Sequence, residues 1–270
     1  MRATSRVSLE EATARFDPVL RGAGVRASEL GEQLFALVDA LDGSGSLRRT
    51  LTDPSIDGDA KAGLSRAVLA RATPEVIDLV DSLVRSRWSA EADLAEAIEE
   101  LGFQAVLASA EADDELVRVE DELFRITRAL IGQREVRRAL FDTTVAADRR
   151  IALVDQILAG RAAPVTALIA RRATAHPRGR RFAATLGHAG DLAAARRNRL
   201  VASVTSAAEL SDAQRDRLAA ILGQAYGGQV QLNVTVDAGV IGGLRIQIGS
   251  DVVDSTVLSR LDDARRRLAS

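Results

Sequence analysis

Shifted on itself by 89 positions, the chain falls into register with its own sequence. EQLFALVDALDGSGSLRRTLTD, from Glu32, lies over DELFRITRALIGQREVRRALFD, from Asp121. Leu34-Phe35 matches Leu123-Phe124, Ala40-Leu41 matches Ala129-Leu130, and Gly43 matches Gly132. Arg48-Arg49 matches Arg137-Arg138, Leu51 matches Leu140, and Asp53 matches Asp142. The match continues without a gap through Asp59/Asp148, Leu64/Leu153 and Leu69/Leu158, with about a dozen of some 38 positions identical. Beyond Leu69 the register slips by a residue or so. The shared glycine, arginine pair and aspartate lie outside the apolar period, so an alanine-rich helical composition does not by itself produce them. Two copies are too few for an open solenoid, and the pattern predicts two tandem helical bundles.

Within each copy the apolar spacing is helical. Leu30, Leu34, Leu37, Val38 and Leu41 share one face of a helix capped by Ser28 and ended at Gly43. An earlier helix, Leu9 to Leu20, is expected to be disturbed at Pro18. Asp57 or Asp59 starts a helix that points Leu64, Val68 and Leu69 inward, and Thr73-Pro74-Glu75 starts another. From Ser89 to Ile131 the pattern hardly breaks, giving one long helix or two joined end to end. The acidic stretch Glu111–Glu115 is expected to be a solvated face. A basic helix from Arg178 to Arg199 closes the second copy.

After Leu200 the period changes. LVASVTS alternates as a strand, and Ser211 with Gln214 forms a capping box for a helix burying Leu218, Ile221, Leu222 and Ala225. Gly227-Gly228 ends that helix. Val230, Leu232, Val234 and Val236 alternate with polar residues, as do Leu244, Ile246 and Ile248. They predict two antiparallel strands joined through Asp237–Gly243. Asp254 and Ser255 cap a last helix with Val257, Leu258, Leu261 and Leu268 in one stripe. The expected fold is mainly α. Two tandem, duplicated helical bundles, residues 1–110 and 111–199, precede a small α/β domain, 200–270, with a β-hairpin and a C-terminal helix.

Chemistry is scarce. Cysteine is absent, so no disulfide or cysteine metal site exists, in keeping with a reducing compartment. His176 and His188 are the only histidines, and no set of neighbouring ligands completes a metal site around them. No serine lies in a nucleophile-elbow pattern. Gly239, Gly242 and Gly243 run from strand to strand instead of from strand to helix, so they serve turn geometry and do not cradle phosphate. No cofactor is expected. Net charge is −2 and aromatics are 3%, neither of which suits a nucleic-acid platform. The one basic region, Arg171-Arg172 through Arg199, is a solvated face or docks an acidic partner. A nucleic-acid adaptor using Arg178–Arg199 is the alternative. No apolar run approaches the ~20 residues of a membrane span, and the start lacks a signal peptide's apolar core, so a soluble cytoplasmic chain is expected. On residues alone this is a non-enzymatic helical adaptor that binds partner helices.

The C-terminal stretch resembles the delta subunit of the F-type ATP synthase, the mitochondrial oligomycin-sensitivity-conferring protein. The likeness rests on Asp237, Ile241, Gly242, Gly243, Leu244, Ile246, Ile248, Gly249, Asp254, Thr256, Val257 and Leu261. Val201–Val204, Ala208, Leu210-Ser211 and Gln214 add to it, and Ser255 stands where the family often has glycine. Ordinary members carry one helical domain. The second copy accounts for the extra length here, which looks like the longer actinobacterial form, as do the alanine excess and a single lysine, Lys61. The resemblance implies a non-catalytic stator subunit. Its helical part would bind N-terminal helices of the alpha subunit, and its tail the C-terminal end of the b subunit. It would reach the cytoplasmic face of the membrane only through the complex.

Overall fold

The computed structural model describes residues 1–142, 144–197, 200–226, 230–237, 242–248 and 251–254. Two compact units divide the chain, Met1–Ala194 and Ala195–Ser270.

The first unit is helical. Its elements are α1 (Ala3–Ala23), α2 (Ala27–Gly43), α3 (Gly45–Thr52), α4 (Gly58–Val68), α5 (Pro74–Arg85) and α6 (Glu91–Ala112). They continue as α7 (Leu116–Ala129), α8 (Arg134–Phe141), α9 (Ala147–Leu158), α10 (Pro164–Ala175) and α11 (Phe182–Arg197). The pairs α2/α7, α3/α8 and α4/α9 start 89 residues apart, α5/α10 90 and α6/α11 91, which is the late slip seen in the sequence. The same shift carries α1 onto α6. Helix α6 is therefore the last helix of the first bundle and the first helix of the second.

That double role explains its composition. Fifteen of its 22 residues are buried, on all sides, where a surface helix would bury one stripe. Leu94, Ile98, Leu101 and Ala105 join the first copy's core, while Phe103, Val106, Leu107 and Ala110 join the second's. Helices α2 and α6 pack closely, and glycine permits it. A Cβ at Gly31 would sit 2.6 Å from Val106 Cγ1 and 2.8 Å from the Gly102 carbonyl oxygen. One at Gly102 would sit 2.6 Å from the Phe35 ring.

Local chemistry repeats with the helices. Asp53 Oδ1 accepts from the Ser55 amide at 2.8 Å and hydroxyl at 2.6 Å; Asp142 does the same for Thr144 at 3.0 and 2.5 Å. Gln33 Oε1 accepts from the Thr73 amide at 2.8 Å, and its counterpart Glu122 accepts from the Ala163 amide at 2.9 Å. Each bond ties the second helix of a copy to the proline-led start of the fifth. The ion pair Arg66–Asp81 recurs with its charges exchanged, as Asp155–Arg171.

Of the two alternatives for Ser89–Ile131, the structure has two helices, parted where Asp114 turns to φ 56°. Several other expectations change. Helix α1 runs on through Pro18, whose exposed ring faces away from the core. Leu64 and Val68 are exposed, and α4 buries Lys61, Ala62 and Ser65 with Leu69 instead. The α4–α5 seam is polar there: the Ser65 hydroxyl and Arg66 both reach Asp81. The basic helix begins at Phe182 because Arg178 and Gly179 take positive φ.

The second unit contains β1 (Leu200–Ser206), α12 (Asp212–Tyr226), β2 (Val230–Val236), β3 (Leu244–Ile248) and β4 (Asp251–Asp254). The sheet order is β2-β1-β3-β4. Strand β1 pairs parallel with β2 across the α12 crossover, and antiparallel with β3. The expected hairpin between β2 and β3 is not formed, because β1 lies between them. Seven residues link the two strands, enough to pass the ~10 Å of one intervening strand. The hairpin is β3–β4, in register from Arg245↔Asp254 to Ile248↔Asp251. Ala202, Val204, Val230, Ile246 and Ile248 form the core with Leu222, against which Leu218 and Tyr226 pack. The expected Ile221 and Ala225 face solvent, since a four-stranded sheet this short covers only a narrow stripe of α12. The reciprocal cap is present: Ser211 N–H donates to Gln214 Oε1 at 2.9 Å, and Gln214 N–H to Ser211 Oγ at 3.4 Å. The expected last helix and Gly227-Gly228 lie outside the described residues.

Candidate interaction surfaces

The signature residues of the tail divide into a turn and a core. Gly242 and Gly243 have φ of 64° and 81°, a region that side chains disfavour, so the glycine pair shapes the entry to β3. Leu244, Ile246 and Ile248 then alternate toward the sheet's buried face. The Asp237 amide donates to Ser206 O at 2.9 Å, closing the end of the β1–β2 ladder. Asp254 lies opposite Arg245 on the edge strand β4. Ile241, Gly249, Thr256, Val257 and Leu261 lie outside the described residues, as does Ser255. Five signature positions, Gly242, Gly243, Leu244, Ile246 and Ile248, thus build one strand and its turn, and none of the described ones forms a catalytic arrangement.

A second constellation was not foreseen as a unit. Glu99 on α6 is 2% exposed and accepts from Arg178 at 2.9 Å and from Arg180. Arg178 also reaches Asp42 on α2 at 2.7 Å, and Arg172 on α10 reaches Asp39 on α2 at 2.6 Å. The Arg172 guanidinium lies 4.8 Å over the Phe35 ring. Phe35 meets Phe103 edge-on at 5.1 Å, and Phe103 meets His188 at 6.3 Å. His188 Nε2 is 2.5 Å from Glu100 Oε2. Acids of the first copy therefore meet cations of the second, around an aromatic seam. Burial pulls the Arg172 guanidinium below its usual value, and Asp39 offsets part of that.

The two histidines sit at this seam with opposite shifts. The bond to Glu100 raises His188 above 6.5, against the cost of burial. Burial and Arg172 lower His176, outweighing Asp39, which lies 3.0 Å from its Nδ1. Both have carboxylate partners more than a hundred residues or nearly ninety residues away in sequence, which spacing alone does not disclose. Among the described residues no group of acids and histidines suits a metal ion.

The seam also revises the basic region. Arg171, Arg172, Arg178 and Arg180 are each paired with a carboxylate of this chain. The acidic partner of that face is mostly the chain's own first copy. Phosphate backbones would have to compete for these cations with carboxylates already paired to them, one of which, Glu99, is buried, and this disfavours the nucleic-acid alternative. No described helix is long and apolar enough to cross a membrane.

Comparison with known proteins agrees with this architecture. The sequence profile of the ATP synthase delta (OSCP) subunit family matches residues 104–268, from within α6 through the second copy and the tail. ATP synthase subunit delta of Beutenbergia cavernae is 53% identical over 270 residues, covering 100% of both chains. The subunit delta of Kineococcus radiotolerans is 44% identical over 266 residues, covering 98% of this chain and 96% of its own. That of Streptomyces griseus subsp. griseus is 43% identical over 270 residues, covering 100% of both. The duplicated length is thus shared by actinobacterial relatives. The chain belongs to the ATP synthase delta (OSCP) subunit family.

Proposed function

We propose that this chain is the non-catalytic stator subunit that ties the alpha/beta head of the ATP synthase to its peripheral stalk. The helical unit would hold N-terminal helices of alpha subunits, and the tail around Asp237, Gly242, Gly243, Leu244, Ile246, Ile248 and Asp254 the C-terminal end of the b subunit. Held this way, the head does not turn with the rotor, and proton-driven torque becomes ATP synthesis. The complex then sits at the cytoplasmic face of the membrane, with this chain peripheral to it.

The observation that carries the reading is where the family profile falls. It covers 104–268, the second copy and the tail, and this supports reading the second copy as the counterpart of an ordinary member's helical domain. The first copy is then an added brace, fastened by Glu99 and its arginines. Membrane vesicles assembled with and without this chain test the role. With it, a proton gradient drives ATP synthesis. Without it, the head still hydrolyses ATP while gradient-driven synthesis falls away. Unchanged synthesis in its absence would rule the role out.

A further inference from the structure

The two copies differ at one buried cation. In the second copy Arg150, 6% exposed, spends its guanidinium on two carbonyls: Nε donates to Val145 O at 3.2 Å and Nη1 to Thr174 O at 2.5 Å. The 89-residue shift puts Lys61 in its place, the one lysine of an arginine-rich chain. Lys61 is 5% exposed, and among the described residues its ammonium makes one hydrogen bond, to Asp53 O at 3.4 Å. An ammonium has three donors, so two are left for another acceptor. No bond among the described residues joins it to Val84, the counterpart of Thr174 under the shift of α5 onto α10. Beside it opens a cavity of about 580 Å³, between the start of α1, the α3–α4 link and the α5–α6 link. Lys61, Arg85 and Arg87 line it together with Pro54, Ile56 and Trp88. Arg85 is paired with Asp59 at 2.8 Å, while Arg87 is in no ion pair among the described residues. The one acid in the lining, Asp57, spends Oδ1 on capping α4, accepting from the amides of Asp59 and Ala60 at 2.9 and 3.3 Å. Asp53 nearby accepts from Ser55.

We propose that this cavity binds a small organic phosphate, with the phosphate on Lys61 and the organic part against Pro54, Ile56 and Trp88. A buried ammonium with unused donors is costly until an acceptor meets them, and a phosphate oxygen does so with a charge-assisted bond. Even with Arg85 neutralised by Asp59, Lys61 and Arg87 outnumber Asp57 in the lining. Arg87 is exposed and adds a guanidinium fork at the rim, suited to phosphate. The cavity is larger than a bare phosphate needs and lies within the about 300–1,000 Å³ common to small-molecule sites. The Trp88 indole N–H donates to Leu83 O at 2.8 Å, which holds the ring at the cavity wall. A duplex carries its phosphates on a convex surface and would not bring one to a lysine that is 5% exposed. The inference goes beyond the stator reading and involves no partner subunit.

Trp88 is the chain's one tryptophan, so its fluorescence in the full chain reports on the cavity directly. Phenyl phosphate, inorganic phosphate and phenol are titrated at constant ionic strength. Phenyl phosphate should saturate the signal at one per chain, at least about fivefold tighter than inorganic phosphate, with phenol weaker than either. K61M removes the ammonium and should weaken phenyl phosphate at least about tenfold. K61R keeps the charge and copies the arrangement of Arg150, so it retains the fold where K61M does not. By filling the space and engaging carbonyls it should weaken binding as well. R26Q, at an exposed residue away from the cavity, changes net charge as K61M does and should leave binding as it was. Circular dichroism confirms the fold of each variant. No saturable binding of phenyl phosphate, or equal binding of inorganic phosphate or phenol, overturns the proposal. So does undiminished binding by a folded K61M or K61R, or an equal loss in R26Q.

Discussion

Replacing Glu99 with alanine removes the shared acceptor of Arg178 and Arg180 from a site that is 2% exposed. The guanidiniums are left without their buried counter-charge, and the loss should be about 3 kcal/mol, read as a lower urea midpoint. An unchanged midpoint would mean the pair is not buried as described. His188 adds a pH dependence. Its folded value is raised, so its pairing with Glu100 contributes fully below 6.5 and is lost as pH rises through that raised value. His176 is lowered, so its contribution is present above 6.5 and lost as pH falls through the lowered value. H188Q should therefore reduce the loss of stability on the alkaline side only, and equal curves for H188Q and wild type would contradict this. None of these partners was legible in sequence. Arg172 and Asp39 are 133 positions apart, and no local period connects them. The glycine pair Gly242-Gly243 was legible, because a turn between apolar alternations demands it.

Among elements, α6 decides most. Its apolar run was readable as helix, but its sharing by two bundles was not, because the repeat was visible only from Glu32 to Leu69 and their counterparts. Burial on all sides is the signal that separates it from an amphipathic helix. The α2–α6 crossing rests on Gly31, whose added Cβ would press on backbone at Gly102. G31A should cost about 1–3 kcal/mol, measured by thermal or urea unfolding. The same change at the exposed Gly63, which has open space, should cost nothing by crowding, and equal destabilisation at both would undo the packing argument. In the tail, alternation located the apolar residues of β1, β2 and β3 but missed the short β4 with Val252 and Val253, and could not say which strands are neighbours. Register and order come from the α12 crossover, which places β1 between β2 and β3.

At the scale of the molecule, the duplication sets where the chain can be cut. Removing residues 1–105 would take most of α6 with it, and the second bundle would lose its first helix. A cut before Glu91 keeps α6 but bares Leu94, Ile98 and Leu101, which the first copy buries. That truncation should aggregate or melt well below the full chain in light scattering and calorimetry. A truncation as stable as the full chain would show that the copies do not share a core. The central claim is that one molecule holds the head and the stalk together. Sedimentation of the full chain with the purified alpha/beta head and the b subunit addresses it most directly. The account predicts a three-part complex in which b sediments with the head only when this chain is present. Sedimentation of b apart from the head in its presence would contradict it.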